Sequence, residues 1–258
     1  MASLKARGGR ELLVTVPALS FFRAPTDNDV ANLGDRGAAF WQTVCTTARG
    51  ELQSADGNSV AFRYELPFAN GAEARVRYTA LGAGRVRVDV EYDGAEGLPD
   101  MSAFGLSLCL PGDINRVRYY GLGPDENYSD RRHGAHLGVF ETTAARNLTP
   151  YLRPQECGSR EGVRWLELTD AGGCGLRVEG LGAPLSVSVL PFSAAQLRAA
   201  RHPDELPASC CTYLDVAQLR MGVGGDNTWG APVHPEYHLP ANVNRAFSFM
   251  IGIAENGC

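Results

Sequence analysis

The sequence lacks the features that direct a chain into a membrane or onto a nucleic acid. Its first residues, MASLKARGGRELLV, contain no apolar run like that of a signal peptide, and no later stretch is apolar enough to span a bilayer. The net charge is −5, and the basic residues are scattered, with pairs such as Arg131-Arg132 too short to form a patch. Because nucleic-acid binding depends on clustered Lys and Arg that displace counterions, neither a nucleic acid nor a membrane is expected as a partner.

The cysteines form no recognisable framework. There are seven of them, an odd number, with no C-x-x-C pair, and Cys210 and Cys211 are adjacent. Disulfide scaffolds and zinc sites both need better spacing than this. The pattern therefore predicts reduced thiols, a cytoplasmic protein and no metal bound by cysteine. His234 and His238 have the spacing of a helical metal site, but Pro235 lies between them, so no metal is predicted there either.

Helical patterns are scarce, and alternation between apolar and polar residues dominates. Two short helices are predicted, one over Asp35–Cys45 and opened by Asp35, the other over Ser193–His202 and capped by Ser193. Alternation is clearest over Arg85–Tyr92, where every second residue is apolar, as in a strand with one buried face. Similar runs are separated by many of the 30 glycines, which predicts an all-β protein. These further runs are Ala74–Ala80, Val163–Leu168, Leu176–Val178, Leu185–Leu190 and Phe247–Ile253.

Four segments lack this alternation and combine aromatic residues with carboxylates, amides, glycine and proline. They are predicted to be loops, and any one of them could be no more than a set of turns. Together they resemble carbohydrate-binding surfaces, in which aromatic rings stack on sugar rings while Asp, Asn, Glu and Arg bind hydroxyls. The segments are Phe22–Asp29 (FRAPTDND), Tyr120–Arg131 (YGLGPDENYSDR), Thr149–Arg160 (TPYLRPQECGSR) and Met221–Gly230 (MGVGGDNTWG).

In order and spacing, these four segments resemble the signature motifs of the last domain of family 2 β-galactosidases. RAPTDND is followed by Trp41, GLGPDENYSDR resembles a G-x-G-P-x-E-x-Y-x-D-R motif, and MGVGGDNTWG resembles a GGD-D/N-S/T-W motif. The resemblance implies that residues 1–258 form a single domain, a large twisted antiparallel super-sandwich similar to galactose mutarotase. It further implies that the catalytic TIM barrel, with both catalytic glutamates, belongs to another part of the parent enzyme.

The resemblance also implies the role and the partners of the chain. The expected function is that of an accessory domain in an enzyme that hydrolyses terminal β-D-galactosides such as lactose. No residue of the chain is expected to be catalytic, and the chain alone is predicted to be inactive. No cofactor is expected in this chain, because the magnesium and sodium sites of the family lie on the barrel side. The expected partners are the barrel, the other domains and a galactoside, and a free chain is expected to self-associate through a formerly buried apolar patch.

Five residues are predicted to bind substrate. In the family, the tryptophan that matches Trp229 projects into the mouth of the active site and stacks against the sugar. Asp226 and Asn227 are expected to hold the turn before it through bonds to the backbone, with direct sugar contact as the less favoured role. Asn28 and Asp29 are included because the stretch that follows them in the family folds toward the active site. Many relatives have a glycine directly after D-N-D-x, where the present chain continues Val30-Ala31-Asn32-Leu33-Gly34.

The remaining carboxylates are predicted to cap turns and form ion pairs. They are Asp27, Asp125, Glu126 and Glu156, and Arg131 is predicted to be the buried partner of one of them.

Two other functions remain open at the level of sequence. A mutarotase-like hexose epimerase would pair His133 or His136, as acid, with Glu126 as base. A free-standing carbohydrate-binding module would bind sugar without any partner. A mutarotation assay tests the first alternative, and a sugar titration tests the second.

Overall fold

The structure is a computed structural model that describes residues 1, 3–5, 9–33, 36–227 and 229–254, apart from the side chains of residues 32 and 33. Fourteen strands and four α-helices are assigned within these ranges. The helices are α1 (Asp27–Leu33), α2 (Arg36–Thr47), α3 (Ala144–Asn147) and α4 (Ala194–Ala199). The strands are β1 (Ala18–Ser20), β2 (Arg49–Asp56), β3 (Ser59–Glu65), β4 (Glu73–Gly82), β5 (Arg85–Asp93), β6 (Ala103–Pro111), β7 (Arg116–Gly123), β8 (His136–Thr143), β9 (Ser159–Val163), β10 (Trp165–Thr169), β11 (Gly175–Leu181), β12 (Leu185–Leu190), β13 (Cys211–Arg220) and β14 (Arg245–Ile253).

The strands form two antiparallel sheets that share one apolar core. The smaller sheet has the order β1-β6-β13-β12-β9, and the larger has the order β2-β3-β4-β5-β14-β11-β10-β7-β8. Buried side chains from both sheets belong to the same core cluster, and Phe104 on β6 meets Phe247 on β14 with ring centroids 5.4 Å apart. The predicted all-β sandwich is confirmed.

Alternation in the sequence decides which side of each strand faces the core. On β5, Val88, Val90 and Tyr92 are buried, whereas Arg87 and Glu91 point to the outer side. Strand β12 differs, because all six of its residues are buried. Both faces of this strand are therefore covered, and the polar residues that alternate with its apolar ones, Ser186 and Ser188, are buried as well.

An aromatic cluster fills the core beneath the first helices. Trp41 on α2 is fully buried and meets Phe21 at 5.9 Å and Tyr92 at 6.3 Å between ring centroids. Phe21 also meets Phe104 at 5.7 Å. Since aromatic side chains contribute the largest buried areas in a core, this cluster fixes α2 and the strand β1 against both sheets. The segment that follows β1 is the first of the four motif segments, so the core sets its starting position.

The helices differ in part from their predicted bounds. Ser193 caps α4 as predicted, its hydroxyl accepting from the backbone of Gln196, whose side chain accepts from the backbone of Ser193 in return. The helix α2 begins at Arg36, and Asp35 lies outside the described residues. The prediction of a loop over Phe22–Asp29 is wrong for its last three residues, which form the first turn of α1.

The cysteines depart from prediction at one position. Cys45, Cys109, Cys157, Cys210 and Cys211 are free thiols. Cys174 is in a disulfide bond, so the expectation of fully reduced cysteines is wrong there.

Within the described ranges, no helix combines the length and the apolar character needed to cross a membrane.

Candidate functional site

All four motif segments meet around one small polar cavity of about 200 Å³. The fold brings them together from distant parts of the sequence, since the first follows β1, the second continues from β7, the third leads into β9 and the fourth follows β13. The first segment contributes three of the lining residues and the third contributes another three. The full lining is Thr26, Asp27, Asn28, Tyr128, Arg131, Tyr151, Gln155, Glu156 and Val223.

The buried guanidinium of Arg23 ties the first segment to the fourth. It donates to the carbonyl of Gly222 at 2.7 Å and to the carbonyl of Met221, and it forms an ion pair with Asp29 at 3.1 Å. The side chain of Arg23 is completely buried, so each of these bonds is made away from water. Arg23 therefore fixes the base of the loop that carries Trp229 relative to α1.

Asp29 and Thr26 hold the start of α1 through a reciprocal pair of hydrogen bonds. The carboxylate of Asp29 accepts from the backbone of Thr26 at 2.9 Å, and the Thr26 hydroxyl accepts from the backbone of Asp29 at 3.1 Å. This is the geometry of a capping box, with Asp in place of Glu or Gln. The T-x-x-D spacing was the sequence signal that could have predicted α1.

Glu156 is a buried carboxyl in the wall of the cavity. Its nearest partners are the Tyr128 hydroxyl at 3.5 Å and the Arg220 guanidinium at 3.6 Å. Burial raises the pKa of Glu156 to about 7, although the positive charges of Arg220 and Arg23 oppose the rise. Arg220 donates to Ser186 at 3.1 Å, and its second terminal nitrogen has no hydrogen-bond partner in the described part of the chain.

Glu126 is, by contrast, fully occupied by donors. It accepts from Thr149 at 2.8 Å, from the backbone of Gly158 at 2.8 Å, from Arg131 at 2.6 Å and from Tyr151. Burial opposes ionisation, but these donors together lower its pKa. Arg131 does pair with a carboxylate, as predicted, yet the prediction that it is buried is wrong, because half of its side chain is exposed.

Trp229 stands almost completely in solvent on an anchored loop. Its side chain is 90% exposed, and its backbone donates to the Asn227 side chain at 2.8 Å. At the base of the loop, Asp130 accepts from the backbone of Gly224 at 2.8 Å. Gly230 has a φ of +91°, and a Cβ there would lie 2.9 Å from the Cβ of Ala31 on α1. The loop thus packs against α1 through glycine and leaves the indole ring free.

The structure separates the five predicted substrate-binding residues. Asn28 lines the cavity, whereas Trp229 is not among the lining residues. The carboxylate of Asp29 is turned toward Arg23 and Thr26. Asn227 bonds to the backbone as predicted, but Asp226 binds the His234 ring at 2.8 Å and accepts no backbone hydrogen bond from the residues that the structure describes. Sequence reasoning missed the parts played by Arg23 and Arg220, although Arg23 opens the first motif.

The histidines make local contacts away from the cavity. His238 pairs with Asp100 at 2.7 Å and with the carbonyl of Val233 at 3.1 Å, so both of its ring nitrogens have partners. His136 packs against the Phe140 ring, and Glu126 has no histidine partner within the described ranges. In those same ranges, no group of three or more His, Cys, Asp or Glu side chains is arranged to hold a metal ion.

Comparison with known proteins decides the family. The chain matches the family described as "Beta galactosidase small chain" over residues 1–251. It belongs to that family. It is 31% identical to the β-galactosidase small subunit of Latilactobacillus sakei, and the match covers 94% of this chain and 86% of that subunit.

Other relatives of the small-chain family are much longer. The chain is 43% identical over 250 residues to the β-galactosidase BgaC of Bifidobacterium adolescentis, a match that covers 91% of this chain and 23% of that protein. It is 40% identical to the β-galactosidase of Lactobacillus delbrueckii, covering 94% of this chain and 24% of that one. The chain therefore spans about a quarter of the length of these relatives.

A solved structure with a similar fold is a galactose mutarotase related enzyme from Lactobacillus acidophilus. The TM-score is 0.49 at 10% identity, and the match covers 99% of this chain and 91% of that one. A likeness at this level says nothing about chemistry, and the two-sheet architecture rests on the strand pairing itself.

Proposed function

We propose that this chain is the non-catalytic small-chain part of a β-galactosidase, and that it completes an enzyme whose large catalytic chain hydrolyses terminal β-D-galactosides such as lactose. Membership of the small-chain family supports this role. The observation that carries the proposal is Trp229, an indole ring that is 90% exposed on a loop anchored to buried groups. A large exposed aromatic side chain on a fixed loop is suited to a binding surface.

The state of the carboxyl groups supports a non-catalytic role. Retaining hydrolysis of a glycoside needs two carboxyls about 5–5.5 Å apart, one acting as nucleophile and the other as acid and base. Asp29 is bound by Arg23, and Glu126 accepts four hydrogen bonds. Glu156 is buried beside Arg220. Asp29 and Glu126 are thus engaged in holding the loops, and Glu156 faces a guanidinium, so the catalytic pair is proposed to belong to the large chain, as are the magnesium and sodium sites.

Trp229 is proposed to stack on the sugar at the mouth of the active site. The C–H face of a pyranose is apolar and is easily desolvated against an indole ring. Asn28 is also proposed to contact sugar, but within the cavity that it lines and not at the ring of Trp229. Asp29, Asp226 and Asn227 are proposed to position the loops, in keeping with their contacts to Arg23, His234 and the backbone.

The face that carries the motif segments is proposed to dock on the large chain. Besides Trp229, it exposes 92% of Leu152, in the third motif segment. In the absence of a large chain, these side chains would favour self-association.

A cytoplasmic location is also proposed. Five free thiols support this location, and the disulfide at Cys174 counts against it.

Reconstitution tests the proposal. The chain would be mixed with a separately purified large catalytic chain of a β-galactosidase, and hydrolysis of a chromogenic β-galactoside would be followed. Neither chain is expected to be active alone, and the mixture is expected to turn over. Turnover by this chain alone that is abolished by Glu126→Gln or Glu156→Gln would refute the non-catalytic role.

A variant series in the mixture tests the role of Trp229. Trp229→Ala is expected to lower kcat/KM roughly 3–10-fold, the equivalent of about 0.5–1.5 kcal/mol of aromatic contact. Trp165→Phe is the matched control, because Trp165 lies on β10 between Arg118 and Arg177, outside the motif segments. An equal loss in both variants would contradict the stacking role.

A further inference from the structure

The cavity between the motif segments has the composition of a site for a neutral polyhydroxy ligand. Eight of its nine lining residues carry polar side chains, and the ninth is Val223. Tyr128 and Glu156 are buried, while Asn28, Tyr151 and Gln155 are partly exposed and so lie nearer the opening. At about 200 Å³ it is smaller than the roughly 300–1,000 Å³ of pockets for drug-sized ligands. Its size therefore suits one sugar ring and not a longer saccharide.

Glu156 has hydrogen-bonding capacity that the protein leaves unused. A hydroxyl that donates to a carboxylate normally lies 2.5–3.0 Å away. The nearest partners of Glu156 lie at 3.5 and 3.6 Å, although only 7% of the residue is exposed. A buried carboxyl without close donors costs free energy, so a ligand that brings a hydroxyl group into the cavity would be stabilised there.

Asn28 provides the second unused group. Within the described ranges its side chain makes no hydrogen bond, and its position in the lining directs an amide donor and acceptor to the cavity. Gln155 beside it is held by Asp27, each donating to the other at 3.2 Å. The lining carries two carboxyl groups, those of Asp27 and Glu156, and the guanidinium of Arg131 is already paired with a carboxylate outside the lining, so an anionic ligand is not favoured. Hydroxyl groups, which both donate and accept, match this lining.

We propose that this cavity is a binding site for a single neutral sugar ring, separate from Trp229, with Glu156 and Asn28 as its hydrogen-bonding residues. The inference does not rest on the large chain, because every lining residue belongs to this chain. It can therefore fail while the proposed accessory role stands, and the reverse also holds.

An NMR titration of this chain with galactose tests the site. The backbone amide signals of Gln155 and Val223 are expected to shift in a saturable way, and glycerol, which lacks a ring, is expected to bind at least tenfold more weakly. Glu156→Gln keeps the side-chain volume and is expected to weaken binding on the order of tenfold, because a carboxyl group is replaced by an amide that has only one acceptor oxygen. Asn28→Ala is expected to weaken it roughly threefold to tenfold.

Two controls separate this site from its alternatives. Asn58→Ala changes an asparagine at the β2–β3 turn that donates to Ala80, and it is expected to leave binding unchanged. Trp229→Ala tests the alternative that galactose binds at the exposed indole ring and not in the cavity, which Trp229 does not line. The proposal is overturned if no amide in the motif segments shifts up to the solubility limit of galactose. It is equally overturned if Trp229→Ala abolishes the shifts while Asn28→Ala and Glu156→Gln do not.

Discussion

Two arginines, Arg23 in the first motif segment and Arg75 on strand β4 of the larger sheet, differ in their partners and in their burial. Arg75 contacts Glu91 at 3.0 Å and Asp93 at 2.8 Å across β4 and β5. Arg23 has a single close carboxylate, Asp29, and two backbone carbonyls. By number of ion pairs, Arg75 is the better connected of the two.

Burial reverses that order. The side chain of Arg75 is 31% exposed and its partners are about half exposed, whereas the side chain of Arg23 is completely buried. Exposed ion pairs contribute little, because water screens the charges and the side chains lose entropy. A buried charge that loses its partners has no such compensation. We therefore expect the buried network to control the geometry of the motif loops and the exposed pairs to contribute little.

The largest expected effect is that of Arg23→Ala. The change leaves Asp29 and the carbonyls of Met221 and Gly222 without their buried donor. The free energy of unfolding is expected to fall by about 3–5 kcal/mol, measured by urea denaturation. Arg131→Ala, in the same cluster but half exposed, is the control and is expected to cost less than about 1 kcal/mol. Equal losses in the two variants would show that burial is not the deciding factor.

A smaller effect is expected from pH, through Glu156. Its pKa is about 7 in the folded chain against 4.5 for the free group, so the folded state holds the proton more tightly. The resulting stabilisation is fully present below pH 4.5 and is lost as pH rises through about 7. At about 1.4 kcal/mol per pKa unit, this stabilisation amounts to at most about 3.5 kcal/mol. Urea denaturation below pH 4.5 and above pH 7 should show that the free energy of unfolding of the wild type falls as pH rises, and that this fall is absent from Glu156→Gln. Parallel pH profiles for the two proteins would contradict the prediction.

Arg75→Ala is expected to change stability only slightly. Its ion pairs with Glu91 and Asp93 are partly exposed, so the free energy of unfolding should fall by less than about 1 kcal/mol. Denaturation in low and high salt checks whether the ion pairs are responsible. Added salt screens exposed charges, so it should reduce the difference in the free energy of unfolding between wild type and variant. A loss as large as that of Arg23→Ala would overturn the comparison.

The smallest effect on stability is expected from Trp229→Ala. A side chain that is 90% exposed loses almost no buried area on removal, so the free energy of unfolding should change by less than about 0.5 kcal/mol. Thermal unfolding checks this, with the fully buried Trp41→Ala expected to cost about 3–5 kcal/mol. Strong destabilisation by Trp229→Ala would mean that the ring packs against the protein and is not free for a ligand.

Much of the sheet structure could be predicted from the sequence. Alternation over Arg85–Tyr92 gave both the strand β5 and its buried side, because a strand with one wet face must alternate. Helix α1 was missed, since aspartate and asparagine favour turns, and the capping signal from Thr26 to Asp29 was overlooked. The start of α4 was correct because Ser193 and Gln196 form their capping box within four residues.

The candidate site could be predicted only in outline. The four motif segments were identified, and their aromatic and carboxylate content suggested a binding surface. The partners of each charge were not predictable, because Arg23 pairs across 198 and 199 residues of sequence with Met221 and Gly222. Contacts between residues so far apart leave no local pattern in the sequence. Arg131 was predicted to be buried because a carboxylate lies near it in its own motif, but that ion pair leaves half of the Arg131 side chain exposed.

The sequence by itself determined the strands, their buried faces and the segments that carry the unusual residues, because these follow from local periodicity and composition. Only the tertiary structure decided that the four segments surround one cavity, that Glu156 is buried there and that Trp229 stands in solvent. The physical reason is that burial and charge pairing depend on which strand ends become neighbours. That arrangement is set by the packing of two whole sheets, and no single segment encodes it.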